Sequence, residues 1–440
     1  MLRRQVQAAG KTSNGSVQNL IKGAADLPPA DNPTNRRACD ARENHFHQAG
    51  SAPAVPSGPA VGETFRAGRW NPDFFSTMGT PTVMLATKAL PSETTRCADP
   101  RDSAIKFSVV LPVRNGWPYI ERCVESVLAQ SYPHFDLIVL DNQSTDNTVV
   151  WLKTKSDSRI RLYTSPVPLS IVESWGRAKD VDKHQYMTLI GHDDALDPDF
   201  LAKIKALIER YPDDALYQTG SRLINSEGRT IRSCKAVPER ESAAGYLKAR
   251  FLFERDIFGT GFVMRSADYD RLGGLPRFEK LFFADDALWL SLLGRSIKAA
   301  DPGEHFAVRI HPNSESASMP SAWSSLLTGL NQFSEFLKTF IQTNPEARAV
   351  YDEFGAGFML TYHRNIYIYA LVEASQAGRP IDPAVTGRIE ASLAKAAPSC
   401  AGKLHRSPKV AAVEALNRSP VRSVVPVLWT IYSRFKTRSR

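Results

Sequence analysis

Two patterns predict an α/β fold with a mostly parallel, Rossmann-like sheet flanked by helices and a helical C-terminal extension. From Phe107 to about Arg210, short β-rich apolar blocks alternate with segments whose apolar residues recur at helical spacing. The blocks end abruptly in acidic and turn-forming residues, above all at Asp141-Asn142 and His192-Asp193-Asp194. Alternation of this kind makes a doubly wound parallel sheet with right-handed crossovers.

The first block, Phe107-Ser108-Val109-Val110-Leu111-Pro112-Val113, reads as a strand. The turn Arg114-Asn115-Gly116 leads to a helix on which Tyr119, Ile120, Cys123, Val124, Val127 and Leu128 share a face. Leu137 to Leu140 is the second strand. It runs into Asp141-Asn142-Gln143-Ser144-Thr145-Asp146, where Ser144 or Thr145 is placed to cap a helix bearing Val149, Val150 and Leu152. Arg159 to Tyr163 is the third strand and Ile171 to Ala178 a short helix. Gln185 to Ile190 is the fourth strand, an apolar block bounded by polar residues. Asp197-Pro198 then reads as an N-cap followed by proline at the first position of a helix through about Arg210.

The second half is less regular. Ala215 to Gln218 and Arg222 to Asn225 read as two short strands, the latter closed by a turn at Ser226-Glu227-Gly228. Gly259-Thr260-Gly261 leads into a strand through Arg265, and Asp268 to Leu272 is a short helix stopped by Gly273-Gly274. Asp285-Asp286 opens a helix carrying Leu288, Trp289, Leu292 and Leu293; Phe306 to Ile310 is a strand ending at His311-Pro312. From Ser321 onward the apolar and aromatic stripes are helical, and such stripes are core rather than cofactor sites.

Residues 1–103 are rich in Pro, Gly, Ser, Ala and Asn and lack apolar periodicity. That composition buries too little surface to offset the entropy of ordering, so the segment is expected to be largely disordered. The expected organisation is a sheet domain over 104–320 and a helical region over 321–440 with a basic tail.

The 440-residue chain carries a formal charge of +9, which suits nucleotides, an anionic membrane surface or nucleic acid, or serves solubility alone. No motif supports nucleic acid. The five cysteines are scattered and form no C-x-x-C pair, which argues against a disulfide framework or a zinc site and for a reducing compartment. The basic start Met1-Leu2-Arg3-Arg4-Gln5 has no apolar stretch behind it, so no signal peptide is expected. No run reaches the ~18 apolar residues of a membrane span. A cytoplasmic protein is the expectation, with peripheral contact at the inner face of the plasma membrane open to the basic, aromatic-bearing tail.

Asp193 and Asp194 follow a predicted strand, at the sheet edge where open α/β folds bind ligands. Two adjacent carboxylates there suit a divalent cation, Mg2+ or Mn2+; the alternative is a solvated turn. Several segments occur in order: Val109-Val110-Leu111-Pro112-Val113-Arg114-Asn115-Gly116, Ser126-Val127-Leu128-Ala129-Gln130-Ser131-Tyr132, Asp141-Asn142-Gln143-Ser144-Thr145-Asp146, His192-Asp193-Asp194 and Gly273-Gly274-Leu275. As an ordered set over about Phe107 to Ser318, they resemble glycosyltransferase family 2 and its GT-A fold.

The resemblance implies an inverting, metal-dependent transferase that moves a sugar from a nucleotide-sugar donor to a glycan or lipid-linked acceptor hydroxyl, in bacterial cell-surface polysaccharide or glycolipid synthesis. It implies a nucleoside site at Pro112, Arg114, Asn115, Asp141 and Asn142. It sets Asp193 near the ribose and Asp194 on the metal, although Gly191 stands where the longer motif has its first aspartate. His311 resembles the late strand-end histidine that completes the metal shell or meets the diphosphate. The register of Leu288-Trp289-Leu290 puts Ala284 at the glutamate of a Glu-Asp pair and Asp285 at the catalytic base, with Asp286 as second choice. At a helix start the macrodipole favours an ionised Asp285. The Gln-x-x-Arg-Trp pattern of processive synthases is absent after Asp285, which implies single addition. A nucleotidyltransferase on a related sheet would need a phosphate loop that Arg114-Asn115-Gly116 does not supply. A non-catalytic nucleotide-sugar-binding protein would be expected to have lost Asp285 or Asp194.

Overall fold

The computed structural model describes residues 104–311 and 321–438, so the expectation for residues 1–103 lies outside the described residues. The strands are β1 (Phe107–Val113), β2 (Phe135–Asp141), β3 (Ile160–Thr164), β4 (Tyr186–Leu189), β5 (Ala195–Leu196), β6 (Leu216–Ile224), β7 (Thr230–Ser233), β8 (Arg240–Glu241), β9 (Phe262–Arg265) and β10 (Lys298–Arg309). Helices of the sheet region are α1 (Tyr119–Leu128), α2 (Thr148–Leu152), α3 (Ile171–Gly176), α4 (Phe200–Arg210), α5 (Ala243–Phe251), α6 (Ser266–Arg271) and α7 (Ala284–Leu293). Then come α8 (Trp323–Phe340), α9 (Pro345–Val350), α10 (Ala356–Gln376), α11 (Pro383–Ala396), α12 (Pro408–Arg418) and α13 (Val424–Arg438).

One sheet runs in the order β3-β2-β1-β4-β9-β6-β10-β5. The first four strands pair in parallel, as the strand–helix alternation requires. Antiparallel pairing enters at β9, which lies between β4 and β6, while β6 and β10 are parallel. The mixed half is where the sequence loses its regular alternation. Strand period divides the core in two. Val109, Leu111, Leu137 and Val139 face one cluster with α1 and α4; Val110, Ile138 and Leu140 face the other. β1 is buried along its whole length, and each such Val or Leu contributes about 1.5–3 kcal/mol. The second cluster also takes in α5, α7 and the C-terminal helices, whose Leu330, Phe333, Phe358 and Tyr367 are fully buried. The C-terminal helices therefore share a core with the sheet.

Three local readings change. The helix after the two aspartates begins at Phe200, with Asp199 at the N-cap position. Asp197 does not cap it, because its carboxylate pairs with Arg222 at 2.6 Å. The helix at Thr148 is not capped by Ser144 or Thr145 either: Ser144 Oγ accepts from the Asn115 backbone N–H, and Asp146 accepts from Thr148 N–H. The two short strands expected across Ala215 to Asn225 form a single β6, held on both sides by β9 and β10. Ladder hydrogen bonds carry Gly220, which has weak strand preference of its own.

Candidate functional site

The carboxyl ends of β1, β2 and β4 and the start of α7 bring the expected residues to one edge of the sheet. Pro112 is buried within β1, opposite Leu140 of β2. Arg114 follows on the exposed rim. Asn115 takes a left-handed backbone conformation, φ 52°, which asparagine tolerates better than most residues. Its side-chain oxygen accepts from Thr145 N–H at 2.8 Å, so Asn115 laces the two loops together.

Asp141 ends β2, buried, with its carboxylate accepting weakly from Ser144 N–H at 3.3 Å. The neighbouring Asn142 behaves differently. Its amide donates to Leu169 C=O at 2.9 Å and accepts from Leu169 N–H at 2.7 Å. That amide forms a ladder rung with the backbone of Leu169, holding the two loops together.

The two central aspartates are not equivalent. Asp194 is buried and points inward. Its Oδ1 accepts from Arg309 N–H at 3.1 Å and its Oδ2 from the Thr260 hydroxyl at 3.0 Å. Burial and the Asp193 charge raise its carboxyl to about 8, against those two hydrogen bonds. Asp193 is less buried, and its Oδ2 meets His311 Nε2 at 3.0 Å. The turn has no room for a side chain at Gly191: a Cβ there would lie 2.8 Å from Asp193 Oδ1 and 3.0 Å from Asp194 Oδ2. Its glycine is thus a packing requirement of this aspartate pair. His192 is largely enclosed, and burial lowers its pKa.

Arg309 ties the cluster down. Its Nε donates to Asp193 C=O at 2.7 Å and its Nη1 to Asn225 C=O at 2.8 Å, while its guanidinium lies over Tyr119. Tyr119 also packs against the His311 ring, 4.6 Å between centroids. His311 Nδ1 is buried without a hydrogen-bond partner among the described residues. Among those residues no group of three or more His, Cys, Asp or Glu side chains is arranged to hold a metal. Asp193 and His311 supply two donors of suitable chemistry, an oxygen and an imidazole nitrogen, so they fit a cation that draws its remaining ligands from a diphosphate and water.

The loop Gly259-Thr260-Gly261 connects this cluster to the acidic start of α7. Thr260 reaches Asp194, and a Cβ at Gly259 would lie 3.6 Å from Asp285 Oδ2. Asp285 and Asp286 are adjacent in sequence but differently used. Asp286 is buried and receives both bonds of a forked contact from Arg250 Nε, at 3.0 and 2.9 Å, and a third from Tyr246 Oη at 3.0 Å. The second choice for the base is thus the partner of a buried ion pair.

Asp285 has no ion-pair partner among the described residues. Burial, with the Asp286 charge second, raises its carboxyl to about 7. The expected dipole effect is outweighed. Arg250 in turn donates to Tyr362 Oη on α10 at 2.9 Å, and Phe283, the left-handed residue before α7, stacks on Phe333 at 5.3 Å. Sequence reasoning missed Thr260, Arg309, Arg250 and Tyr362 as parts of the site. Arg309 stands two residues before His311, a cue that was available. Tyr362 lies in an aromatic stripe that reads only as core.

With this geometry in view, residues 108–272 match the family model described as Glycosyl transferase family 2. The chain is 29% identical over 179 residues to the uncharacterized protein y4gI of Sinorhizobium fredii, covering 38% of this chain and only 20% of that protein. It is 29% identical over 203 residues to the putative teichuronic acid biosynthesis glycosyltransferase TuaG of Bacillus subtilis, covering 46% of this chain and 77% of TuaG. Among solved structures, S. aureus TarS in complex with UDP-GlcNAc aligns at a TM-score of 0.47 and 15% identity, over 74% of this chain and 92% of that one.

Proposed function

We propose that this chain, whose residues 108–272 match the glycosyltransferase family 2 model, transfers a single sugar from a nucleotide-sugar donor to an acceptor hydroxyl with inversion at the anomeric carbon. The setting we assign is bacterial surface polysaccharide or glycolipid assembly. The observation that carries the reading is the contrast at the start of α7. One carboxyl, Asp286, is consumed by Arg250; the other, Asp285, is left with a proton affinity near neutrality. A general base works best when its pKa lies close to the operating pH.

Asp141 and the rim residue Arg114 are assigned to the nucleoside, with Pro112 shaping the floor and Asn115 and Asn142 holding the loops that frame it. Asp193, rather than the Asp194 that the resemblance put on the metal, is assigned with His311 to a divalent cation, Mn2+ or Mg2+, because both Asp194 oxygens are turned inward to Thr260 and Arg309, from where Asp194 braces the turn. When bound, such a cation would offset the charge of the leaving nucleoside diphosphate. In the transfer, the acceptor oxygen forms its bond to the anomeric carbon as the bond to the diphosphate oxygen breaks. The bonding pair leaves with the diphosphate, and the acceptor proton passes to an Asp285 carboxylate oxygen. Attack opposite the leaving group inverts the centre.

The test is a panel of nucleotide sugars scored by thermal shift and by manganese-dependent release of nucleoside diphosphate, with wild type and Asp285→Asn side by side. We expect at least one donor to stabilise both proteins and only wild type to turn it over. Equal turnover by the two proteins would overturn the assignment of the base. Failure of every donor to bind would overturn the transferase reading.

A further inference from the structure

We propose that the outer face of α13 and the turn before it form a docking surface for a bilayer bearing anionic headgroups. α13 lies against the C-terminal core by one side only. Val425 is 3% exposed, and Trp429 packs edge-on against Tyr369 of α10, 5.4 Å between centroids. The other side carries Val424, Val427 and Ile431 at the i, i+3, i+7 spacing of one helical face, exposed by 41%, 58% and 39%. Val421, just before the helix, extends the strip and is 54% exposed. Exposed apolar residues elsewhere, such as Val150, Ile231 and Leu252, stand far apart in the sequence; four along one strip mark an interaction surface.

Charge says what covers it. From Lys403 to the last residue the sequence carries nine Lys and Arg residues against one acid, Glu414. Lys409 already lies over the Trp429 and Tyr432 rings, at 5.4 and 4.0 Å. α13 runs to Arg438, and its last turns carry Arg434, Lys436 and Arg438 in the sequence. An apolar face joined to a basic cluster is the signature of a helix lying in the plane of a membrane interface. Among the described residues no helix is long and apolar enough to cross a membrane; the contact proposed for α13 is along the bilayer surface. The inference does not depend on the chemistry assigned to the sheet edge.

The experiment is co-sedimentation of the full chain with vesicles of phosphatidylcholine, with and without phosphatidylglycerol, at low and high salt. Wild type should sediment with the anionic vesicles and be released by salt. Each basic residue near the surface is worth about five-fold in partitioning, so Arg434→Glu with Arg438→Glu should lower binding by about 25-fold or more. Val427→Asp with Ile431→Asp should lower it at least about ten-fold. Both sites lie on the outer helix, and the melting temperature of each variant, together with nucleotide-sugar binding, reports that the fold is intact. Sedimentation independent of phosphatidylglycerol, no sedimentation at all, or unchanged binding by the Val427→Asp, Ile431→Asp protein would each overturn the proposal. Self-association through α13 would show as concentration-dependent dimerisation abolished by the same aspartates without vesicle binding, and would also overturn it.

Discussion

Replacing Asp285 by asparagine separates stability from chemistry. In the folded protein its carboxyl titrates at about 7 rather than the ordinary 3.8, because burial and the neighbouring Asp286 charge penalise ionisation. The native state therefore holds this proton more tightly than the unfolded chain. The stability linked to it is fully present below about pH 4 and lost as pH rises to about 7. At about 1.4 kcal/mol per pH unit, the interval between 3.8 and about 7 costs the folded protein about 4 kcal/mol above neutrality. Asp285 keeps part of its surface in water, so an effect of about 2–4 kcal/mol is expected. Asparagine has the same shape and never ionises. Urea unfolding should show Asp285→Asn more stable than wild type by that amount at pH 8, with the difference shrinking toward zero near pH 4. Over the same range transfer should fall by about 10²–10⁴-fold, and wild-type kcat/KM should climb with pH and level off above about 7. A stability difference that is the same at both pH values would refute the electrostatic account. A variant that still transfers at the wild-type rate would refute the role of the base.

Arg250→Met should cost about 3–5 kcal/mol in chemical denaturation by leaving Asp286 buried and unpaired. Asp286→Asn should cost a similar amount by stranding Arg250, so any loss of activity there should track loss of folded protein. Asp193→Asn and His311→Ala should each weaken manganese-dependent donor binding about 10–100-fold by isothermal titration, with melting temperature nearly unchanged; unaltered metal dependence in both variants would remove them from the metal site. Cys123 is fully buried and its thiol is pushed well above its usual range, by burial first and by Asp194 and Asp193 next. It should therefore resist thiol reagents in the native protein and react only after denaturation.

Much of the sheet edge was legible in the linear chain because its cues are local. Strand–helix alternation from Phe107 onward identified the four parallel strands, and abrupt polar ends after Leu140 and Ile190 marked where the chain leaves the sheet in acidic turns. The resemblance carried by the ordered motifs singled out Asp285. Local cues failed where hydrogen-bonding groups had rival partners. Asn142 and Asp141 look equally available in the sequence, yet Leu169 occupies both ends of the Asn142 amide. Asp197 looks like a helix cap until Arg222, 25 residues on, takes its carboxylate.

The same limit governs the two aspartate pairs. Nothing local distinguishes Asp193 from Asp194 or Asp285 from Asp286, since neighbours in sequence share composition and position. What separates them is partner geometry. Thr260 and the Arg309 backbone turn Asp194 inward, from 66 and 115 residues away. Arg250 reaches Asp286 across 36 residues and is itself held by Tyr362, another 112 residues along. The chain's own pattern sets out which acids stand at the edge of the sheet. Which of them is desolvated, paired or left with a proton to exchange depends on charges and helices brought together by folding, because electrostatic energies follow distance and burial in space rather than separation along the chain.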